Sequence, residues 1–273
     1  MASTDQAQVR NYWGVLIVLS PAKSLDYETP LATTEYSEPA MLDQSEALIN
    51  VMRKKSAKAV AQLMSISPTL AELNVERYRD WERPFTTRNS RQALLAFNGD
   101  VYDAMAAPST FKAADWVQAQ KTLRILSGLY GILRPLDLMM PYRLEMGTRL
   151  KTKRGANLYD YWGDRITDAL RDAIAESPGE KVLVNLASQE YFGSVRPAKL
   201  GAEVVTPVFL DRKGNGDPKI ISFFAKKARG VMAGWMIREH ITSTDALSSF
   251  AENGYAFDPV RSSRDRLVFL RSQ

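Results

Sequence analysis

Apolar residues along this chain fall into short runs, separated by longer stretches in which they recur every three or four positions. The runs at residues 15–19, 94–97, 123–126, 182–186, 204–209, 220–224 and 267–270 are rich in Val, Ile, Leu and Phe and predict strands. The three-to-four spacing predicts helices over residues 46–64, 70–81, 114–120, 159–174, 225–241 and 244–252. Strands alternating with helices predict a mixed α/β or α+β fold, with a β-sheet surrounded by helices. The polar segment Asp211-Arg212-Lys213-Gly214-Asn215-Gly216 reads as a hairpin turn between two late strands, so the sheet is expected to be mixed.

No Pro/Gly/Ser-rich linker, repeat or low-complexity tract divides the 273 residues, which predicts a single domain over residues 15–273. The first apolar run has five residues before Ser20-Pro21, too few for a signal peptide or a membrane span. The absence of cysteine removes disulfides, thiolate metal sites and cysteine nucleophiles, and fits a reducing cytoplasm. A lone histidine, His240, leaves no imidazole set for zinc and little support for a Ser/His/Asp triad, so no metal and no cofactor are expected. At the end of a helical pattern, His240 is expected to meet the last helical carbonyls.

Lys and Arg number 36 against 31 Asp and Glu, a net charge of +5, so only the distribution of charge can identify an anionic partner. In the helix expected over residues 46–64, Lys54, Lys55 and Lys58 lie opposite the apolar set Leu48, Met52, Ala59, Val60, Leu63 and Met64. Ser67 is placed to cap a second helix with Pro68 in its first position, so two helices meet at a tight turn through Thr69. Free N–H groups at that helix start, beside the lysines, would suit a phosphate oxygen, although the turn lacks the glycines common in helix-hairpin-helix DNA clamps. Lys226, Lys227 and Arg229 are expected to open a helix after a strand, where the dipole disfavours cations unless an anion joins them. Lys151, Lys153 and Arg154 crowd a loop ending at Gly155. A crevice could gather Lys23, Arg143, Glu145, Asn185 and Ser188, with Arg143 and Glu145 better explained as a structural ion pair. Gly128 and Gly131, three apart after a strand, imply an unusual backbone path.

Several long motifs, in order, resemble the YaaA family of bacterial peroxide-stress proteins: LIVLSPAKSLDYETP at 16–30, FNGDVYDAM at 97–105, LSGLYGILRPLDLMMPYRLEMG at 126–147, VNLASQEYF at 184–192 and FFAKKARG at 223–230, with the hairpin at 63–78. The resemblance implies a cytoplasmic single-domain protein with an unusual mixed fold, a helix-hairpin-helix element and a positive cleft that binds DNA. It also implies resistance to hydrogen peroxide by limiting free iron and oxidative DNA damage. Residues 1–14 depart from the pattern and are expected to be a disordered extension or to precede the true start. The leading expectation is therefore a monomer, with no membrane partner, that grips the DNA backbone without sequence preference. Lys54, Lys55, Lys58, Ser67, Thr69, Lys226, Lys227 and Arg229 are its expected contacts. The competing expectation is an enzyme acting on a nucleotide or another phosphorylated small molecule in a crevice formed by Lys23, Arg143, Glu145 and the cluster from Lys226 to Arg229. Direct iron sequestration ranks last, for want of ligands.

Overall fold

The computed structural model describes residues 15–177 and 180–272, so the expectation for residues 1–14 lies outside the described residues. Its central strand, Leu16–Leu19, is buried along its whole length, as an uninterrupted apolar run requires when a parallel sheet is covered on both faces. Leu123–Ser127 pairs parallel to it on one side and Val182–Asn185 on the other. Glu203–Val205 extends the sheet in parallel, and Gly131–Leu133 closes the opposite edge antiparallel to Leu123–Ser127. The five-stranded sheet is thus mixed, within an α+β fold. A second sheet pairs Val208–Arg212 parallel to Val268–Ser272 and Ala256–Phe257 antiparallel to the latter. One hydrophobic cluster runs through both halves of the chain, from Val15 to Phe269.

The apolar run at 204–209 predicts one strand and forms two, Glu203–Val205 and Val208–Arg212, which belong to different sheets. Pro207 sits at the break, and a proline cannot donate to a strand ladder. The run at 94–97 is mostly a helical turn, Ala93–Ala96, with only Phe97–Asn98 extended. It is buried on every side, so its periodicity could not separate the two conformations. Residues 220–224 are not a strand either. The helix Ser222–Arg238 begins there, because Ala225, Ala228, Val231 and Met232 bury one face at helical spacing while Ile220 and Phe223 stay exposed. The chain reverses at 211–216, but the expected strand hairpin does not form, because no second strand follows and only a single antiparallel bridge joins Asp211 to Lys219. The helix expected at 244–252 is the 3₁₀ turn Asp245–Ser249.

The lysine-bearing helix is also two helices, Leu42–Met52 and Ala57–Met64. Ser56 accepts a hydrogen bond from the Ala59 N–H and starts the second helix. Arg53 leaves the first helix to donate to the carbonyls of Tyr78, Arg79 and Trp81, at the end of the helix Pro68–Asp80. Those carbonyls have no partner within their own helix, so the guanidinium completes that terminus.

Met41 and Met64 are half-buried, and the other methionines among the described residues are buried in the core. No helix among the described residues is long and apolar enough to cross a membrane.

Candidate nucleic-acid interface and anion pocket

The helix Ala57–Met64 and the helix Pro68–Asp80 form an αα-hairpin. Ser65 ends the first with a left-handed backbone (φ 52°), and Ser67 caps the second by accepting the Leu70 N–H at 3.3 Å. The turn therefore needs no glycine: Ser65 takes the left-handed step and Pro68 supplies the first helical residue. Thr69 and Leu70 are exposed at that start. The hairpin is fixed to the body by Tyr78, which is buried and donates its hydroxyl to the Arg143 carbonyl. Burial pushes the Tyr78 phenol above its ordinary value, so it remains a neutral donor.

Lys54 and Lys55 lie in the connection between the two short helices, and Lys58 lies in the first turn of Ala57–Met64. They are not a stripe on one continuous helix. Lys54 instead faces Thr152, Lys153, Arg154 and Tyr161 across a cleft of about 410 Å³ that no carboxylate lines. The Arg154 guanidinium lies 5.0 Å over the Tyr161 ring. Among the described residues, Lys54, Lys55, Lys58, Lys153 and Arg154 form no ion pair, whereas Arg83, Arg171, Arg196, Lys199, Arg261 and Arg264 each hold a carboxylate.

A second cation cluster stands at the carboxyl ends of the central strands. The Ser20 hydroxyl donates to the Ser188 hydroxyl at 3.2 Å and accepts the Ser188 N–H at 2.8 Å, so the two adjacent strand ends are pinned together. The buried Tyr102 hydroxyl donates to the Ser20 carbonyl at 2.8 Å. Over these groups lies a cavity of about 440 Å³, lined by Lys23, Asp100, Ser188, Glu190, Lys226 and Arg229 together with apolar side chains. The helix Ser222–Arg238 carries Lys226 and Arg229 there. It can approach because residue 230 is glycine: a Cβ at that position would stand 1.9 Å from the Val101 carbonyl oxygen. Since this helix begins at Ser222, Lys226 and Lys227 lie beyond its first turn and the expected conflict with the dipole falls away. Lys227 points elsewhere, its ammonium 4.4 Å over the Phe223 ring.

The crevice expected from sequence does not gather all its members. Glu145 accepts from Arg143 at 2.9 and 3.2 Å and holds the Lys23 ammonium at 2.8 Å, so one carboxylate serves two cations. Arg143 and Glu145 line a small niche that adjoins the larger cavity, with Pro21, Ala22, Lys23 and Tyr191 shared between the two. Gly128 brings their loop close, since a Cβ there would meet the Leu144 carbonyl oxygen at 2.1 Å, and Gly131 adopts φ 68°. Asn185 is buried; its side chain accepts the Ala187 N–H and donates weakly to Thr206, and it lines no cavity among those described. His240 stands just past the end of its helix, and its ring lies 3.9 Å from the carboxylate of Asp115 on another helix, Ala113–Thr122. Asp100 and Tyr102 belong to the cavity and were missed as site residues. Their signal was the tripeptide Asn98-Gly99-Asp100 ending an apolar run, a turn placed where the chain leaves a short strand.

A wider cavity of about 600 Å³ adjoins Arg77, Arg88 and Arg91, but Asp80 and Glu82 line it as well. Its field is mixed, as is that of the cavity around Arg229, but here Arg91 is already committed to the Leu95 and Thr29 carbonyls.

The family model described as peroxide stress protein YaaA matches residues 15–261, from the central strand into the loop before the last one. The match spans both cation clusters and the hairpin between them. The chain therefore belongs to the peroxide stress protein YaaA family.

Proposed function

We propose that this peroxide-stress protein binds DNA through its phosphate backbone, with little sequence preference, and so limits oxidative damage to it. One observation carries the reading: Lys54, Lys153 and Arg154 share a cleft without any carboxylate, beside the hairpin whose second helix starts at Pro68. Unpaired cations retain their full attraction for phosphate, whereas a cation already held by a carboxylate must first give up that partner. The Thr69 N–H, at the exposed start of the second helix, adds one donor on the same hairpin. Lys55 and Lys58 extend the positive surface along the chain with point charges, and the Arg154 guanidinium is stacked over the Tyr161 ring. Backbone contact without sequence readout is the consequence.

The test is a duplex-DNA titration at several salt concentrations. Engagement of roughly four to six phosphates gives a log–log slope of about −4 to −5. Lys54→Glu, Lys55→Glu and Lys58→Glu combined should weaken binding and flatten the slope by about 0.9 for each phosphate no longer engaged. No binding at low salt, or a slope near zero, removes the proposal.

A further inference from the structure

We propose that the cavity between the ends of Leu16–Leu19 and Val182–Asn185 is a binding site for a phosphate monoester of mononucleotide size, its phosphate held by Arg229 and Lys226. This inference is independent of the DNA reading, which rests on a different cleft.

Topology comes first. From Leu16–Leu19 the sheet grows to one side through Leu123–Ser127, and the chain then crosses to the other side to form Val182–Asn185. The segments leaving Leu16–Leu19 and Val182–Asn185 therefore diverge, and the divergence opens a crevice at the carboxyl edge of the strands. Here the crevice is built, not collapsed: the Ser20–Ser188 hydrogen bonds tie its floor, and Gly230 lets the long helix form its wall. The volume of about 440 Å³ falls in the range of small-molecule pockets, about 300–1,000 Å³.

The charge at this place calls for an anion. Arg229 is half-buried and, among the described residues, has neither an ion pair nor a hydrogen bond. Burial pulls its pKa below the ordinary value, and Asp100 and Glu190, which line the same cavity, do not offset the loss of water. A half-buried charge without a protein partner bears part of the desolvation cost, which a partner supplied from solution would offset. Lys226, on the same wall and also unpaired, supplies a second cation. Lys23 does not count toward the anion, since Glu145 holds it at 2.8 Å.

The remaining lining sets the rest of the ligand. Pro21, Ala22, Val101, Tyr102 and Leu186 provide an apolar wall suited to a flat organic ring. Asp100 also lacks a partner among the described residues and can accept only from a donor, such as a hydroxyl or an exocyclic amine. Glu190 is committed to the Gly147 N–H at 2.9 Å through one oxygen. A ligand with a phosphate at one end and donors on a ring at the other satisfies Arg229, Lys226 and Asp100 together, which bare phosphate cannot. The same chemistry occurs in a free nucleotide and at the 5′-phosphorylated end of a DNA strand.

The experiment is calorimetric titration of the full chain with dAMP, deoxyadenosine and inorganic phosphate. Two single-stranded hexamers complete it, one with a 5′-phosphate and one with a 5′-hydroxyl. Binding of dAMP about tenfold or more tighter than both deoxyadenosine and phosphate is expected. Binding confined to the 5′-phosphorylated hexamer would equally support the site and assign its source to strand ends. Arg229→Gln should weaken binding by about tenfold or more and Lys226→Gln by less, because Lys226 is more exposed. Circular dichroism checks that both variants remain folded. Absence of binding by both dAMP and the phosphorylated hexamer overturns the proposal, as does binding that neither variant alters. The Lys54, Lys55 and Lys58 charge reversal should leave dAMP binding unchanged, so this site and the DNA reading fail separately.

Discussion

Gly230→Ala puts the packing argument to its sharpest test, because two effects of opposite sign meet at one position. Glycine within a helix is less favourable than alanine by about 1 kcal/mol, so on an exposed helix the change would stabilise. Here the new methyl would stand 1.9 Å from the Val101 carbonyl oxygen, short of ordinary contact by about 1.5 Å. The obstacle is backbone belonging to the helix Asp100–Met105, so no side-chain rotation relieves it. The two helices must separate, and overpacking of this kind costs about 1–3 kcal/mol, with more when backbone must shift. Steric cost is expected to exceed the propensity gain and leave a net loss of about 1–2 kcal/mol. For a chain somewhat above 250 residues that corresponds to a fall in Tm of about 2–4 °C, read by thermal denaturation. The same movement would carry Arg229 and Lys226 away from the strand ends, so dAMP affinity should fall with stability. A Tm that is unchanged or raised in Gly230→Ala would refute the packing argument.

Two further expectations follow from polar groups. The buried Tyr130 hydroxyl accepts from Trp81 Nε1 and the Met140 N–H at 3.0 Å each and donates to the Met140 carbonyl, so Tyr130→Phe strands a buried indole and an amide. A loss of about 2–4 kcal/mol is expected in urea unfolding, and a loss below about 1 kcal/mol would contradict it. The Thr29 hydroxyl, followed by the Thr29 and Glu28 amides, holds the Asp26 carboxyl down at about 2 from an ordinary 3.8. A depressed carboxyl stabilises the fold above its unfolded value, and that contribution is lost as pH falls from about 4 through about 2. An NMR titration of Asp26 with its midpoint at 3.8 or higher would contradict this, and Thr29→Ala should move the midpoint upward.

The elements best read in the sequence were those whose pattern had a single structural meaning. The apolar run ending at Leu19 is too short for a helix and became the central strand, and Ser67-Pro68 marked a helix start that the structure keeps. Errors arose where local pattern and tertiary pairing disagree. Residues 204–209 look continuous, yet Pro207 divides them between sheets, and the partner of each half lies far away in sequence. The lysines at 54, 55 and 58 fit one helical face because helical periodicity persists across an interruption that only Ser56 signals. The candidate cavity was partly legible. Lys23, Ser188, Lys226 and Arg229 line one cavity, whereas Arg143 and Glu145 line an adjoining niche on a loop packed against Gly128, a close approach that spacing alone cannot reveal.

Among the described residues, sulfur occurs only in methionines, most of them buried in the core. With no thiol to oxidise and its thioethers mostly enclosed, the fold offers peroxide few reactive atoms. Sulfoxide formation deep inside would place a polar group among close-packed hydrocarbon, so enclosure protects the architecture as well as the atom. A fold built in this way presents an oxidant with few accessible sulfur atoms among its described residues.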